Sequence, residues 1–189
     1  MNLETIRTAA LEAKDNIWAA ARSMGRDPKI YLHWTAGAYH TTYRDYHVCI
    51  SGDGEVIQTR EITDIVSATW HRNTGSISLA LCCAYDATPD DLGSYPPTDI
   101  QIEAMAQIIA VIANALNIPI DIRHVLTHGE AADNEDGEAI TEAYAVWSDP
   151  QPADGDTRWD LAILHPGDAW RSGGDILRGK ALYYQREGL

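Results

Sequence analysis

Leu3, Ile6, Ala10, Ile17 and Ala21 recur at helical intervals between charged positions, which predicts an amphipathic docking helix over 3–22 that ends near Gly25. The run 30–34 is short, β-branched and aromatic, lies between Asp27-Pro28-Lys29 and Ala36-Gly37, and reads as a buried strand. Runs 46–51 and 55–59 are strand-like and are joined by Gly52-Asp53-Gly54, where Asp-Gly supplies the positive φ of a tight hairpin turn. The stretch 76–84 is small and apolar on both faces, as a central strand covered from both sides must be. Thr98-Asp99-Ile100-Gln101 has the form of a capping box. Ile102, Met105, Ala106, Ile109, Ala113 and Leu116 then share one helical face until Asn117 and Pro119 end it. Residues 120–126 suggest another strand. The segment 130–156 holds nine acids among Gly and Pro, and predicts a long solvated excursion with one short helix near 138–146.

This order of elements predicts an α/β fold with a mixed central sheet flanked by helices. At 189 residues and 45% hydrophobic composition the chain suits one domain, which buries roughly 70% of its unfolded surface. The expected parts are an N-terminal helix at about 3–24, a core over 29–165 and a C-terminal extension over 166–189. Fourteen Lys and Arg stand against 28 Asp and Glu, a formal charge of −14, so anionic polymers are repelled at long range. Neither nucleic acid nor a membrane is an expected partner, and no continuous apolar run approaches the roughly 20 residues of a membrane span. Met1-Asn2-Leu3-Glu4 lacks the basic start of a signal peptide, so synthesis in the cytoplasm is expected. Cys49, Cys82 and Cys83 lie in apolar, strand-like runs, a pattern unlike a disulfide framework.

Three polar residues fall at predicted element ends: His33, His128 and Asp160. Two imidazoles and a carboxylate suffice to hold a catalytic zinc with a position left for water. Spacing alone does not separate this from ordinary hydrogen-bonded histidines, of which the chain has seven.

Four blocks in order carry a resemblance: 30–36 (IYLHWTA), Tyr46-His47-Val48-Cys49-Ile50 with 52–58 (GDGEVIQ), 73–80 (NTGSISLA), and Thr127-His128. Together they resemble the zinc-dependent N-acetylmuramoyl-L-alanine amidases, the family shared by phage lysozyme-type amidases and peptidoglycan recognition proteins. The resemblance spans about 29–165 and implies a Zn2+ enzyme that cuts the amide between N-acetylmuramic acid and L-alanine. It implies His33 and His128 as ligands, Asp160 as the third, and Tyr46 as the active-site tyrosine. Arg158 stands where catalytic members commonly carry Lys or Thr; its guanidinium can stabilise an oxyanion but not act as a base.

Two departures bear on this assignment. Asp160 is followed by Leu161-Ala162 where the family usually has Pro-Gly, so His165-Pro166-Gly167 offers a competing register with His165 as ligand. Asp160 is preferred because it places Arg158 and supplies an anionic oxygen of a kind zinc accepts. Ala80 stands where some cytosolic recycling amidases carry an acid. Trp34, Trp70 and Asn73, with Tyr31 and Trp159, are candidates for a sugar-peptide groove, although core packing explains most such residues as well. His40, His47, His71 and His124 have no matched ligand role, His71 being the one expected nearest the site. The expected partner is peptidoglycan or a muropeptide, acted on by an endolysin-type enzyme after release. A non-catalytic wall receptor and a cytosolic recycling amidase are the alternatives, and oligomeric state is left open.

Overall fold

The Asn2 side chain accepts the Thr5 amide hydrogen and so caps α1 (Leu3–Ser23), whose buried stripe is Ile6, Ala10, Ala13, Ile17 and Ala21. The computed structural model describes residues 1–89, 91–140 and 159–189. After α1 come β1 (Lys29–Trp34), β2 (Val48–Ile50), β3 (Val56–Gln58), β4 (Ser76–Leu81), α2 (Asp99–Leu116), β5 (Val125–Thr127), α3 (His128–Ala132) and α4 (Gly173–Arg186). The five strands form one sheet in the order β3-β2-β4-β1-β5. β2, β4, β1 and β5 run parallel, and β3 alone is antiparallel, paired with β2 through the predicted hairpin. Gly54 takes a φ of 82° in that turn, and the Ser51 amide donates to the Glu55 carbonyl at 2.9 Å.

The sheet has two chemically different faces, because residues paired in register point the same way. Ile30, Leu32 and Trp34 of β1 join Ile77, Leu79 and Leu81 of β4 and Val48 and Ile50 of β2 in one apolar cluster, with α1, α2 and α4 packed onto it. Lys29, Tyr31 and His33 face the other way, level with Ser76, Ser78 and Ala80 of β4, and Cys49 of β2 also aligns with Ala80. On this second face α3 closes over Tyr31 and Leu126 through Ala131. β4 is the central strand that its two-sided apolar sequence predicts, and all three cysteines are free and buried.

The capping box of α2 is complete, and Asn117 ends the helix in the left-handed conformation. By length and apolarity α2 matches a membrane span, yet 67% of it is buried inside the fold, where it serves as the core helix between α1 and α4.

Three expectations need correction. The strand predicted over 120–126 is only Val125–Thr127, because Asp121 turns the chain by accepting the amide hydrogens of His124 and Val125 on its carbonyl. The acidic stretch after residue 130 is not solvated throughout: Glu130 is 3% and Asp136 6% exposed. Each is buried against a distant arginine, Arg178 and Arg72 respectively, which supplies what a buried carboxylate needs. Of the helix predicted near 138–146, residues 138–140 are non-helical and the rest lies outside the described residues. The stretch 166–189, expected as a C-terminal extension, contains α4, which packs Leu177 and Ala181 into the main core.

Candidate metal centre and active site

The carboxyl end of a parallel strand is where side chains can leave a sheet without losing their backbone pairing, and β1 and β5 sit side by side there. His33 lies one residue before the end of β1 on the polar face, and His128 follows β5 directly as the first residue of α3. Thr127 begins that helix with a capping box: its hydroxyl accepts the Glu130 amide hydrogen at 3.3 Å while Glu130 Oε2 accepts its own at 2.8 Å. Asp160 arrives from the far side of the sequence, 127 residues from His33.

These three side chains meet. Asp160 Oδ2 lies 3.1 Å from His33 Nδ1, Asp160 Oδ1 lies 3.7 Å from His128 Nδ1, and the imidazoles stand edge to face at 4.9 Å. Each residue offers one ligand atom, and these atoms all lie within 4.8 Å of one another. Burial alone would raise the Asp160 carboxyl, but the charge and hydrogen bonds of His128 and His33 outweigh it and hold the group below the usual carboxylate range. Asp160 Oδ1 is buried, and His128 Nδ1 at 3.7 Å stands beyond full hydrogen-bond distance from it, an under-satisfied arrangement that a cation would relieve. Two imidazole nitrogens and a carboxylate oxygen form a donor set that fits zinc, and it is the one group of this kind among the described residues.

Around this cluster the chain supplies orienting contacts. Thr69 Oγ1 lies 3.3 Å from His33 Nε2 and can accept its N–H, which leaves Nδ1 turned to the cluster. Nothing in the hydropathy pattern singles out Thr69. Asn73 holds it in place, since its side-chain oxygen accepts the amide hydrogens of Ala68 and Thr69 at 3.1 and 2.8 Å. The Tyr46 ring lies 5.2 Å from that of His33, and its hydroxyl donates to the Trp34 carbonyl at 3.2 Å. Burial, helped by the Asp160 charge, pushes the Tyr46 hydroxyl well above its ordinary pKa, so it stays protonated.

Trp34 is buried edge-on against Trp159 at 5.0 Å, on the apolar side of β1. Trp70 is 56% exposed and stacks edge-on with His71 at 4.5 Å. His165 stands elsewhere, with Nε2 2.9 Å from Asp99 at the start of α2. Arg158 lies outside the described residues. His47 is structural: the Ser78 amide donates to its Nδ1 at 2.9 Å, its Nε2 donates to the Asp64 carbonyl at 3.0 Å, and burial lowers its pKa.

Ala80 faces this same side, in register with His33 and Cys49 and fully buried. No carboxylate therefore occupies the central strand beside His33.

Among solved structures the chain is similar to the Ph2119 endolysin from Thermus scotoductus MAT2119 bacteriophage Ph2119, at 19% sequence identity and a TM-score of 0.44, covering 56% of this chain and 74% of that one. No curated protein matches the chain. A family model described as N-acetylmuramoyl-L-alanine amidase matches residues 23–141, a segment that contains His33, Tyr46 and His128 and stops short of Asp160. Because that match spans more than half of its 189 residues, the chain belongs to the N-acetylmuramoyl-L-alanine amidase family of peptidoglycan hydrolases.

Proposed function

We propose that the enzyme is a zinc amidase that cleaves the bond between N-acetylmuramic acid and the L-alanine of the stem peptide, with His33, His128 and Asp160 holding the ion. The observation that carries this reading is the convergence of three donor atoms within 4.8 Å from residues far apart in the chain. When bound, zinc makes water acidic enough to attack near neutral pH and polarises the carbonyl it faces. Thr69 keeps the His33 ring in one tautomer and orientation. Tyr46, protonated and adjacent to His33, turns its hydroxyl from the Trp34 carbonyl to donate a hydrogen bond to the oxyanion that develops as the amide carbon becomes tetrahedral. Arg158 is a second donor in this reading, and the exposed Trp70 borders the groove that takes the sugar and peptide, whereas Trp34 packs in the main core and Asn73 acts by holding Thr69.

The substrate is taken to be wall polymer, in the manner of an endolysin. What favours polymer over cytosolic muropeptide recycling is Ala80, which leaves no acid at the position where some recycling amidases carry one. Digesting sacculi and soluble muropeptides side by side tests this choice.

Two variant series test the site. Asp160→Ala should lose the metal while His165→Ala binds it normally, measured as zinc per chain, because His165 is engaged with Asp99 instead. The reverse pattern would move the third ligand to the His165 register. Tyr46→Phe should keep full zinc but lower kcat by about 10²–10³-fold with little change in KM, the usual cost of one missing oxyanion donor. An unchanged kcat would remove Tyr46 from the reaction.

A further inference from the structure

Two of the three donors are braced by a helix that lies beyond the family-matched segment. Arg178 of α4 grips Glu130 with both prongs, its two terminal nitrogens lying 2.8 Å from Oε2 and 2.8 Å from Oε1. One prong also donates to the Val125 carbonyl in β5 at 2.9 Å, and the other to Asp175 Oδ1 at 2.7 Å. Glu130 in turn accepts the Thr127 amide hydrogen, so Arg178 reaches the chain on both sides of His128.

The same helix holds the loop that carries Asp160. Leu161, next to Asp160, has a φ of 60°, a left-handed conformation that a leucine rarely adopts unless its surroundings impose it. Its carbonyl oxygen lies 1.8 Å from where a Cβ on Gly173 would sit, and the Gly173 amide donates to the Ala162 carbonyl at 3.1 Å. A Cβ on Gly174 would lie 2.3 Å from Glu130 Oε1. The first turn of α4 therefore touches the Asp160 loop and the His128 helix at once, at two residues where no side chain fits.

Resting on the metal-site reading above, we propose that Arg178, Gly173 and Gly174 are positioning residues that set the spacing of the His128 and Asp160 donors, making α4 part of the metal centre. A buried ion pair is a poor source of net stability, and an apolar contact would hold α4 to α3 as well. The two-pronged guanidinium adds direction: it fixes the rotation of α3 and hence the aim of His128.

The test uses the full chain stripped of metal and reloaded with zinc or with Co2+, whose visible absorption reports coordination geometry. Arg178→Lys keeps the charge and loses the fork. Gly174→Ala displaces the Glu130 carboxylate, and Gly179→Ala is the control, because a Cβ there meets nothing within 4 Å. Arg178→Lys and Gly174→Ala should bind zinc about 10–100-fold more weakly, as losses of outer-shell partners do, and change the Co2+ spectrum. Gly179→Ala should match the parent in both. If either Arg178→Lys or Gly174→Ala melts cooperatively yet keeps parental zinc affinity and spectrum, the positioning role is overturned. Failure of the parent to bind either ion would instead overturn the metal site itself, a distinct outcome.

Discussion

His128→Ala is expected to abolish both metal binding and turnover. The imidazole stands at the junction of β5 and α3, with Nδ1 3.7 Å from Asp160 Oδ1 and its ring edge to face with His33. Alanine leaves one imidazole and one carboxylate, too few protein donors for a catalytic zinc site, which ordinarily has three. The Thr127–Glu130 capping box does not use the His128 side chain, so α3 should still form and the variant should still fold. The signature is thus a cooperatively melting protein with no zinc by metal analysis and hydrolysis at background. A His128→Ala protein with one zinc per chain and the parental rate would remove His128 from the ligand set.

Asp136→Ala should have the largest effect on stability, a loss of about 3–5 kcal/mol, the usual result of stripping one partner from a buried ion pair. The Arg72 guanidinium is fully buried, 2.6 Å from Asp136 Oδ2, and the Lys29 amine lies 3.5 Å from the same oxygen. Removing the carboxylate strands the Arg72 cation, whereas Lys29 keeps the Glu138 carboxylate at 3.6 Å and the Arg123 carbonyl at 2.7 Å. Arg72 keeps Asn134 Oδ1 at 2.6 Å, but that neutral oxygen does not replace the charge. For a chain of this length each kcal/mol corresponds to about 2–4 °C in Tm, so the shift is large on a melting curve. Arg72 belongs to the loop that carries Thr69 to His33, and its amide donates to the Thr69 carbonyl at 3.1 Å, so zinc affinity should weaken too. A loss below about 1 kcal/mol, typical of exposed pairs, would mean this cluster is open to water.

The parts of the fold legible in the sequence are those governed by local rules. α1 and α2 announce themselves by helical periodicity and by caps within three residues of their starts, and the β2–β3 turn by Asp53-Gly54. What was hidden is nonlocal. Glu130 and Asp136 look like solvated acids until Arg178 and Arg72, 48 and 64 residues away, are brought to them. The Thr127–Glu130 capping box was nevertheless written in the sequence and could have revealed α3. Gly173, Gly174 and Gly179 argue against a helix on propensity, yet α4 forms, with its first two glycines admitting the Asp160 loop and Glu130. His33 and His128 stood out as members of an ordered set of family-like blocks, and Asp160, which lies in none of them, only through the resemblance those blocks carry, since no spacing rule links residues that meet from separate elements. Thr69 left no trace because its role is defined by Asn73 and by the loop that folds it over His33.

Product analysis of digested peptidoglycan reads out metal-dependent cleavage of the muramoyl-alanine amide itself. Purified sacculi treated with zinc-loaded enzyme should release stem peptides with free L-alanine amino termini and leave intact glycan strands, and chelation should stop the release. New reducing ends on the sugar, or undiminished peptide release after complete removal of the metal, would contradict it.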